Sequence, residues 1–98
     1  MSAFEKRTDA KTPAAVLDYD WDLTLWLAGD TISGFTTSVT PAGLTLLTAP
    51  PYTPTFTTTV CKQWASGGTA GATYRLTYQV TTTAGRTEAF VLTIPVRA

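Results

Sequence analysis

The segment Asp18–Asp22 (Asp-Tyr-Asp-Trp-Asp) combines residue types that do chemistry in other proteins. Its alternating aspartates resemble the start of a calcium loop, since hard cations bind several carboxylate oxygens. The loop motif then fails, because Leu23 stands where it requires Gly and Gly29 where it requires Glu. The alternatives are a bound cation, a pair of catalytic carboxylates and, which we favour, a strand whose aspartates face solvent while Tyr19 and Trp21 pack.

Ser66-Gly-Gly and Cys61 are the other positions where catalysis is conceivable. A serine nucleophile needs a base, and the chain has no His. A phosphate loop needs Gly-Lys-Ser/Thr opening a helix, and no helical pattern follows Ser66. Cys61 has no neighbour that would lower its pKa, and a lone Cys forms no intramolecular disulfide. We therefore expect a non-enzyme with no catalytic residue, cofactor or metal site.

Exposed aromatic residues are the stronger candidates for function. Three tryptophans are many for a chain of 98 residues, and Trp is enriched at protein interfaces, so each is either core or an interface anchor. The segment Thr55–Thr59 has neither charge nor Pro, which favours a strand edge that a partner covers. The Pro-rich loop Ala49–Pro54, like the N-terminal segment Met1–Pro13, is an element that we expect to extend to a neighbouring protein. The candidate interface residues are Trp64, Tyr52, Phe56 and Trp26.

Composition excludes several classes of protein. The formal net charge is +0, whereas nucleic-acid binders carry a basic surplus that neutralises phosphate. No apolar run approaches the ~20 residues of a membrane span. Thr occurs 22 times, and Thr suits a pleated surface better than a helix. The chain is therefore one all-β domain that contacts neither nucleic acid nor a membrane.

Alternating apolar residues and Gly/Pro punctuation predict the strands. We expect a short helical turn or tight connection over Asp22–Ala28, capped by Asp22 and ended by Gly29, although Leu23, Leu25 and Leu27 also alternate as in a strand. We expect a β-bulge at Gly34. This pattern is typical of an immunoglobulin-like antiparallel β-sandwich of about seven strands, over residues 14–98. The predicted strands are Ala15–Asp20, Asp30–Val39, Leu44–Thr48, Thr55–Trp64, Tyr74–Thr82 and Thr87–Val96. The predicted core is Leu17, Trp21, Ile32, Phe35, Leu44, Leu46, Phe56, Val60, Leu76, Val80, Phe90, Leu92 and Ile94.

Tyr74 follows a Gly-rich connection, Ala65–Gly71, that we expect to be flexible. It stands where a tyrosine corner is expected, with its hydroxyl bonded to the backbone of the preceding loop.

The N-terminal segment Met1–Pro13 holds five of the fourteen charges and shows no periodicity. We predict a flexible N-terminal arm, which either frays or becomes ordered on a neighbouring subunit. It has no apolar region of the kind that secretory signals carry, so we expect folding in a cytoplasm.

The segments Leu17–Trp21, Gly29–Ile32, Trp64–Gly71 and Thr81–Thr87 together resemble small phage proteins described as fiber-tail adaptor proteins. The resemblance runs from about Ala14 to the C-terminus. It implies a virion structural protein with an immunoglobulin-like fold that joins parts of the tail or neck.

We accordingly expect a structural virion protein of a tailed bacteriophage, an adaptor that joins tail or neck to fibres or neighbouring tail proteins. It would assemble in the host cytoplasm and be present in several symmetric copies. The alternative is a capsid decoration or carbohydrate-binding module, in which Tyr52, Trp64 and Trp26 supply stacking faces.

Overall fold

The computed structural model describes residues 5–98 as two β-sheets packed face to face. The first sheet has the strand order β1-β8-β7-β3, and the second has the order β2-β6-β4, with β5 also paired to β6. The all-β sandwich predicted from the sequence is confirmed. Its elements are β1 (Glu5–Arg7), β2 (Leu17–Asp22), α1 (Thr24–Leu27), β3 (Ile32–Thr40), β4 (Leu44–Leu47), β5 (Thr55–Phe56), β6 (Val60–Gly67), β7 (Thr73–Thr82) and β8 (Thr87–Pro95).

The core forms where alternate side chains of both sheets meet. On β7 the buried hydrophobic residues are Tyr74, Leu76, Tyr78 and Val80, as the alternation predicted. The same period buries Phe90, Leu92 and Ile94 on β8. Most of the predicted core is thus confirmed, but three of its members lie outside it. Leu17 and Phe56 are 41% and 45% exposed because each lies at a strand end near a sheet edge. Val60 is only partly buried because it lies on the outward face of β6.

The predicted strand Thr55–Trp64 is wrong. The chain reverses after β5, and Thr57 donates its N–H to the carbonyl of Val60. The Thr57 hydroxyl also accepts hydrogen bonds from the N–H groups of Thr59 and Val60. This reversal turns Cys61, Gln63 and Ala65 inward on β6, the opposite of the predicted face. Side-chain hydroxyls stabilise this turn in place of Gly or Pro. Because the strand prediction relied on Gly and Pro to mark turns, it missed this one.

The predicted helical turn and β-bulge between β2 and β3 are both present, but the turn is flanked by Leu23 and Ala28 and not by the predicted Asp22 and Gly29. A single helical turn forms at α1, and Asp22 Oδ1 accepts the N–H of Thr24 at 2.9 Å, although the capping position itself is Leu23. Ala28 ends the turn in the left-handed region at φ 50°. The β3–β7 register shifts between Ile32 and Gly34, where the bulge was expected.

The tyrosine corner is present and fixes the connection before β7. Tyr74 is buried, and its hydroxyl accepts the N–H of Thr69 at 2.9 Å. Hydrogen bonding with the Thr69 side chain, and then with its backbone N–H, lowers the pKa of Tyr74. The connection predicted to be flexible is in fact packed, since β6 runs through Gly67 and a Cβ on Gly68 would lie 2.8 Å from Val96. Only Gly fits there at φ 98°.

The described part of the predicted N-terminal arm is not free of the domain. Strand β1 pairs in parallel with β8, and Lys11 bridges to Val96. Lys11 is 2% exposed, and its Nζ donates to the carbonyls of Gly67 and Thr12 at 2.6 and 2.8 Å. Backbone pairing and two carbonyl partners hold this polar segment, which is why apolar periodicity failed to reveal it. Residues 1–4 lie outside the described part of the chain.

Candidate docking surface

Trp64 and Tyr52 come together on the outer face of the second sheet. Even-numbered residues of β6 point outward, and Trp64 lies between Leu47 of β4 and Asp18 of β2. Tyr52 comes from the loop between β4 and β5, and its ring meets that of Trp64 at a centroid distance of 5.1 Å. Both residues are half-buried. We call Tyr52, Trp64 and Leu47 the aromatic patch.

Charged side chains border the aromatic patch on the β2 side. Lys62 Nζ lies 3.5 Å from Asp18 Oδ2, and both side chains are more than a third exposed. Asp20 stands opposite Lys62 in the strand register and is also exposed. Exposed ion pairs of this kind add little stability, about 0–1 kcal/mol. A polar rim around an apolar centre is the usual arrangement of an interface.

The three aspartates of Asp18–Asp22 lie on the solvent side of β2, while Tyr19 and Trp21 are buried. This alternation is the one that we favoured from the sequence. The hydrogen bond from the Thr24 hydroxyl is the largest of the effects that lower the pKa of Asp22. Residues 5–98 hold no group of three or more acidic or thiol side chains placed to bind a metal ion.

Phe56 lies on a different side of the molecule from Trp64. It pairs with Cys61 across the β5–β6 ladder and so lies toward the inner face, at the opening between the sheets. Its ring meets Phe35 of β3 edge-on at 6.0 Å. The structure therefore separates two residues that the sequence had placed on one strand face.

Trp26 lies at one end of the sandwich, beside a groove of about 450 Å³. Its ring packs edge-on against Phe90 at 5.1 Å, and the guanidinium of Arg86 lies 4.3 Å from the ring centroid. Leu25, on the same helical turn, is 96% exposed. Trp26 is thus partly a packing residue, and the exposed apolar group at this end is Leu25.

Arg86 and Asp30 hold this end of the molecule together, and sequence reasoning missed them. Arg86 donates to Asp30 Oδ2 at 3.2 Å and to the carbonyl of Leu27 at 2.9 Å. Asp30 Oδ1 accepts the N–H groups of Thr31 and Ala84. A hydrogen bond with Thr82 is the largest of the effects that lower the pKa of Asp30, so the carboxylate stays charged. The two residues are 56 positions apart, and no local pattern announces such a pair.

Cys61 and Gln63 of β6 lie in the interior of the sandwich. Burial raises the pKa of the Cys61 thiol to about 12, so it stays protonated and is a poor nucleophile. Gln63, fully buried, donates to the carbonyls of Leu47 and Trp64 and accepts the Thr37 hydroxyl, which ties β6 to β3 of the other sheet. These bonds also fix the backbone of Trp64 from beneath.

A family model described as "Podophage GP4 fiber-tail adaptor protein gp77" matches residues 11–95. The chain belongs to this family. Fiber-tail adaptors are structural parts of the phage virion, and this chain is accordingly a tail adaptor protein. No curated protein matches the chain.

The family match begins at Lys11, the buried residue of the predicted arm. Among residues 5–98, no helix is long and apolar enough to cross a membrane.

Proposed function

We propose that this adaptor protein acts as a rigid immunoglobulin-like block that joins the phage tail or neck to fibre or neighbouring tail proteins, and that it docks through the aromatic patch. The strand orders β2-β6-β4 and β8-β7-β3 support the immunoglobulin-like assignment, since they correspond to the two sheets of that fold. The tyrosine corner at the start of β7 supports it further.

The observation that carries the docking proposal is the contact between Tyr52 and Trp64 on an outer sheet face. A half-buried Trp outside the core contributes less to folding than a core residue, whereas Trp and Tyr dominate binding energy when a partner covers them. The loop that carries Tyr52 also contains three prolines, which limit its freedom before binding.

The test is incorporation of variants into particles. Trp64→Ala and Tyr52→Ala are expected to leave the melting transition of the isolated protein within a few degrees of wild type and to reduce incorporation at least about tenfold. Leu25→Ala is the matched control, because it removes a more exposed apolar side chain at the other end of the molecule. Phe90→Ala is the core control, since it should cost ~3–5 kcal/mol of folding stability.

Two results would overturn this docking surface. If Trp64→Ala melts the protein as severely as Phe90→Ala, Trp64 is a core residue. If both patch variants enter particles as well as Leu25→Ala does, the docking surface lies elsewhere.

The second candidate is a capsid decoration or carbohydrate-binding module. The adjacency of Tyr52 and Trp64 beside Asp18 favours it, because partly exposed aromatic faces next to a carboxylate also suit sugar rings. It predicts saturable binding of soluble host glycans that Trp64→Ala abolishes. Incorporation into the tail in the absence of any glycan binding favours the adaptor role.

A further inference from the structure

The strands at the sheet edges differ in how they are protected against pairing. Natural proteins guard exposed edges with charges, prolines or very short strands. Every residue of β1 is charged, and β2 carries three aspartates. The edge formed by β4 and β5 is interrupted by a loop with three prolines. Strand β3 has nine residues and neither charge nor Pro, and its β-bulge lies before Gly34, so the part from Phe35 to Thr40 has no such protection.

The outward backbone groups of β3 can be identified from its hydrogen bonds. Ile32 donates its N–H to the carbonyl of Thr58 at 3.0 Å, so this group points away from β7. Antiparallel ladders alternate inward and outward groups, and the bulge before Gly34 shifts the phase by one residue. The N–H and C=O groups of Phe35, Thr37 and Val39 therefore point outward. No hydrogen bond from the described residues satisfies them.

We propose that β3 pairs antiparallel with β3 of a second copy of this chain, with the twofold axis at Thr37. In this register Thr37 faces its own counterpart, and Phe35 faces Val39 of the second copy. All three are residues with outward backbone groups, so each facing pair exchanges both of its hydrogen bonds. The strand is self-complementary at the level of the backbone.

The side chains agree with this register. On the inner face it places an aromatic residue, Phe35, opposite a β-branched one, Val39, on each side of the axis, which is a favourable cross-strand pair. On the outer face it places Thr36 opposite Ser38, both exposed and uncharged. The absence of charge matters most. In a symmetric pair, a charged residue on β3 would lie close to the identical charge on the second copy, and the two would repel each other.

The same edge is bordered by incompletely buried apolar side chains. Phe35 and Val39 pack against the core without being fully buried, and so does Leu46 of β4. Phe56, 45% exposed, contacts Phe35. A second copy of β3 would bring its own Phe35 and Val39 beside these residues and extend the sandwich interior. The formal net charge of +0 leaves no overall repulsion between copies.

The test is sedimentation equilibrium of the full chain and of charge variants on β3. The wild type is expected to dimerise at about 100 µM or below. Thr36→Lys combined with Ser38→Lys places like charges opposite each other and should raise the dissociation constant at least about tenfold. The matched control is Gln79→Lys combined with Thr77→Lys, since these residues pair with Thr36 and Ser38 on β7, one strand away from the edge. The control should dimerise like the wild type.

Charge complementation identifies the occupant. Thr36→Glu combined with Ser38→Glu should also be monomeric alone, and an equimolar mixture with the lysine variant should restore a dimer of mixed composition. The proposal is overturned if the wild type stays monomeric at about 100 µM, if the β7 control dissociates equally, or if charges on β3 leave the dimer unchanged. A monomer whose β3 lysine variant alone fails to enter particles would assign the edge to a different protein. None of these outcomes depends on the aromatic patch, which lies on the other sheet.

Discussion

The ring of Tyr52 meets the ring of Trp64 edge-on, with the planes at 60°. This contact fastens the Pro-rich loop between β4 and β5 to the outer face of the second sheet. Beneath it, the Gln63 side chain donates to the carbonyls of Leu47 and Trp64, both at 2.8 Å. The aromatic patch is thus held from above by the loop and from below by a buried amide. A surface fixed in this way loses less conformational entropy when a partner binds.

Tyr74→Phe should lower stability by removing the tyrosine corner. The substitution leaves the ring packing intact but deprives the Thr69 N–H of its acceptor. We expect the melting midpoint to fall by about 5–10 °C in a thermal melt followed by circular dichroism. A shift of under about 2 °C, the size of an ordinary surface substitution, would contradict a structural role for this hydroxyl.

Tyr19 and Tyr78 should respond oppositely to the same substitution. Tyr78 donates its hydroxyl to the carbonyl of Tyr19 at 2.7 Å, so Tyr78→Phe should cost about 1–3 kcal/mol. The Tyr19 hydroxyl is buried with no hydrogen-bond partner in the described residues, so Tyr19→Phe should be neutral or stabilising by up to about 1 kcal/mol. Urea denaturation of both variants measures the contrast. Equal destabilisation by the two would mean that the Tyr19 hydroxyl is satisfied.

The buried Cys61 thiol should be unreactive in the folded protein. At pH 8 a disulfide reagent such as DTNB should react only as fast as the protein unfolds, and promptly in guanidinium chloride. The raised pKa of Cys61 also makes the stability of the folded protein depend on pH. An unfolded thiol ionises near its usual value of 9.0, while the folded one keeps its proton to about 12, so stability falls as pH rises above about 9.

Cys61→Ala removes this contribution and should flatten the decline in stability between pH 8 and pH 10, relative to wild type. Burial also raises the pKa of Tyr19, so part of the decline should remain in the variant. Rapid labelling of the native thiol at pH 8 would show that Cys61 is accessible.

Truncation separates the two halves of the predicted arm. Deleting residues 1–13 removes Lys11 together with its bridge to Val96, and we expect a clear loss of stability. Deleting residues 1–10 is the control, because it keeps Lys11 while it removes the short charged strand β1 and the residues beside it, including the Thr8 N–H that bonds the carbonyl of Thr93. The longer deletion should melt at least about 5 °C below the shorter one. Equal melting points would support the domain boundary at residue 13 that the sequence predicted.

Sequence reasoning succeeded where one periodicity or one special residue decides the structure. The strict alternation of Tyr74–Val80 identified β7, Gly34 marked the bulge, and the position of Tyr74 identified its corner. It failed at Thr57–Thr59, where hydroxyl hydrogen bonds turn the chain without Gly or Pro. That error placed Phe56 and Trp64 on one face. In a chain so rich in Thr, a turn made by Thr hydroxyls has the same residue composition as the strands, so composition does not reveal it.

The candidate site was predictable in part. Trp64 and Tyr52 were chosen as exposed aromatics, but their contact depends on how the Pro-rich loop folds back, which no spacing encodes. The Asp30–Arg86 pair and the buried Lys11 depend on long-range packing. Both involve charged residues, which sequence patterns normally assign to solvent.

The most direct measurement of the central claim is a cryo-electron microscopy reconstruction of the intact virion at side-chain resolution. The account predicts density for this sandwich between tail or neck and fibre proteins, with Trp64 and Tyr52 covered by a neighbouring chain. Density for the domain on the capsid, or in the tail with the aromatic patch facing solvent, would contradict it.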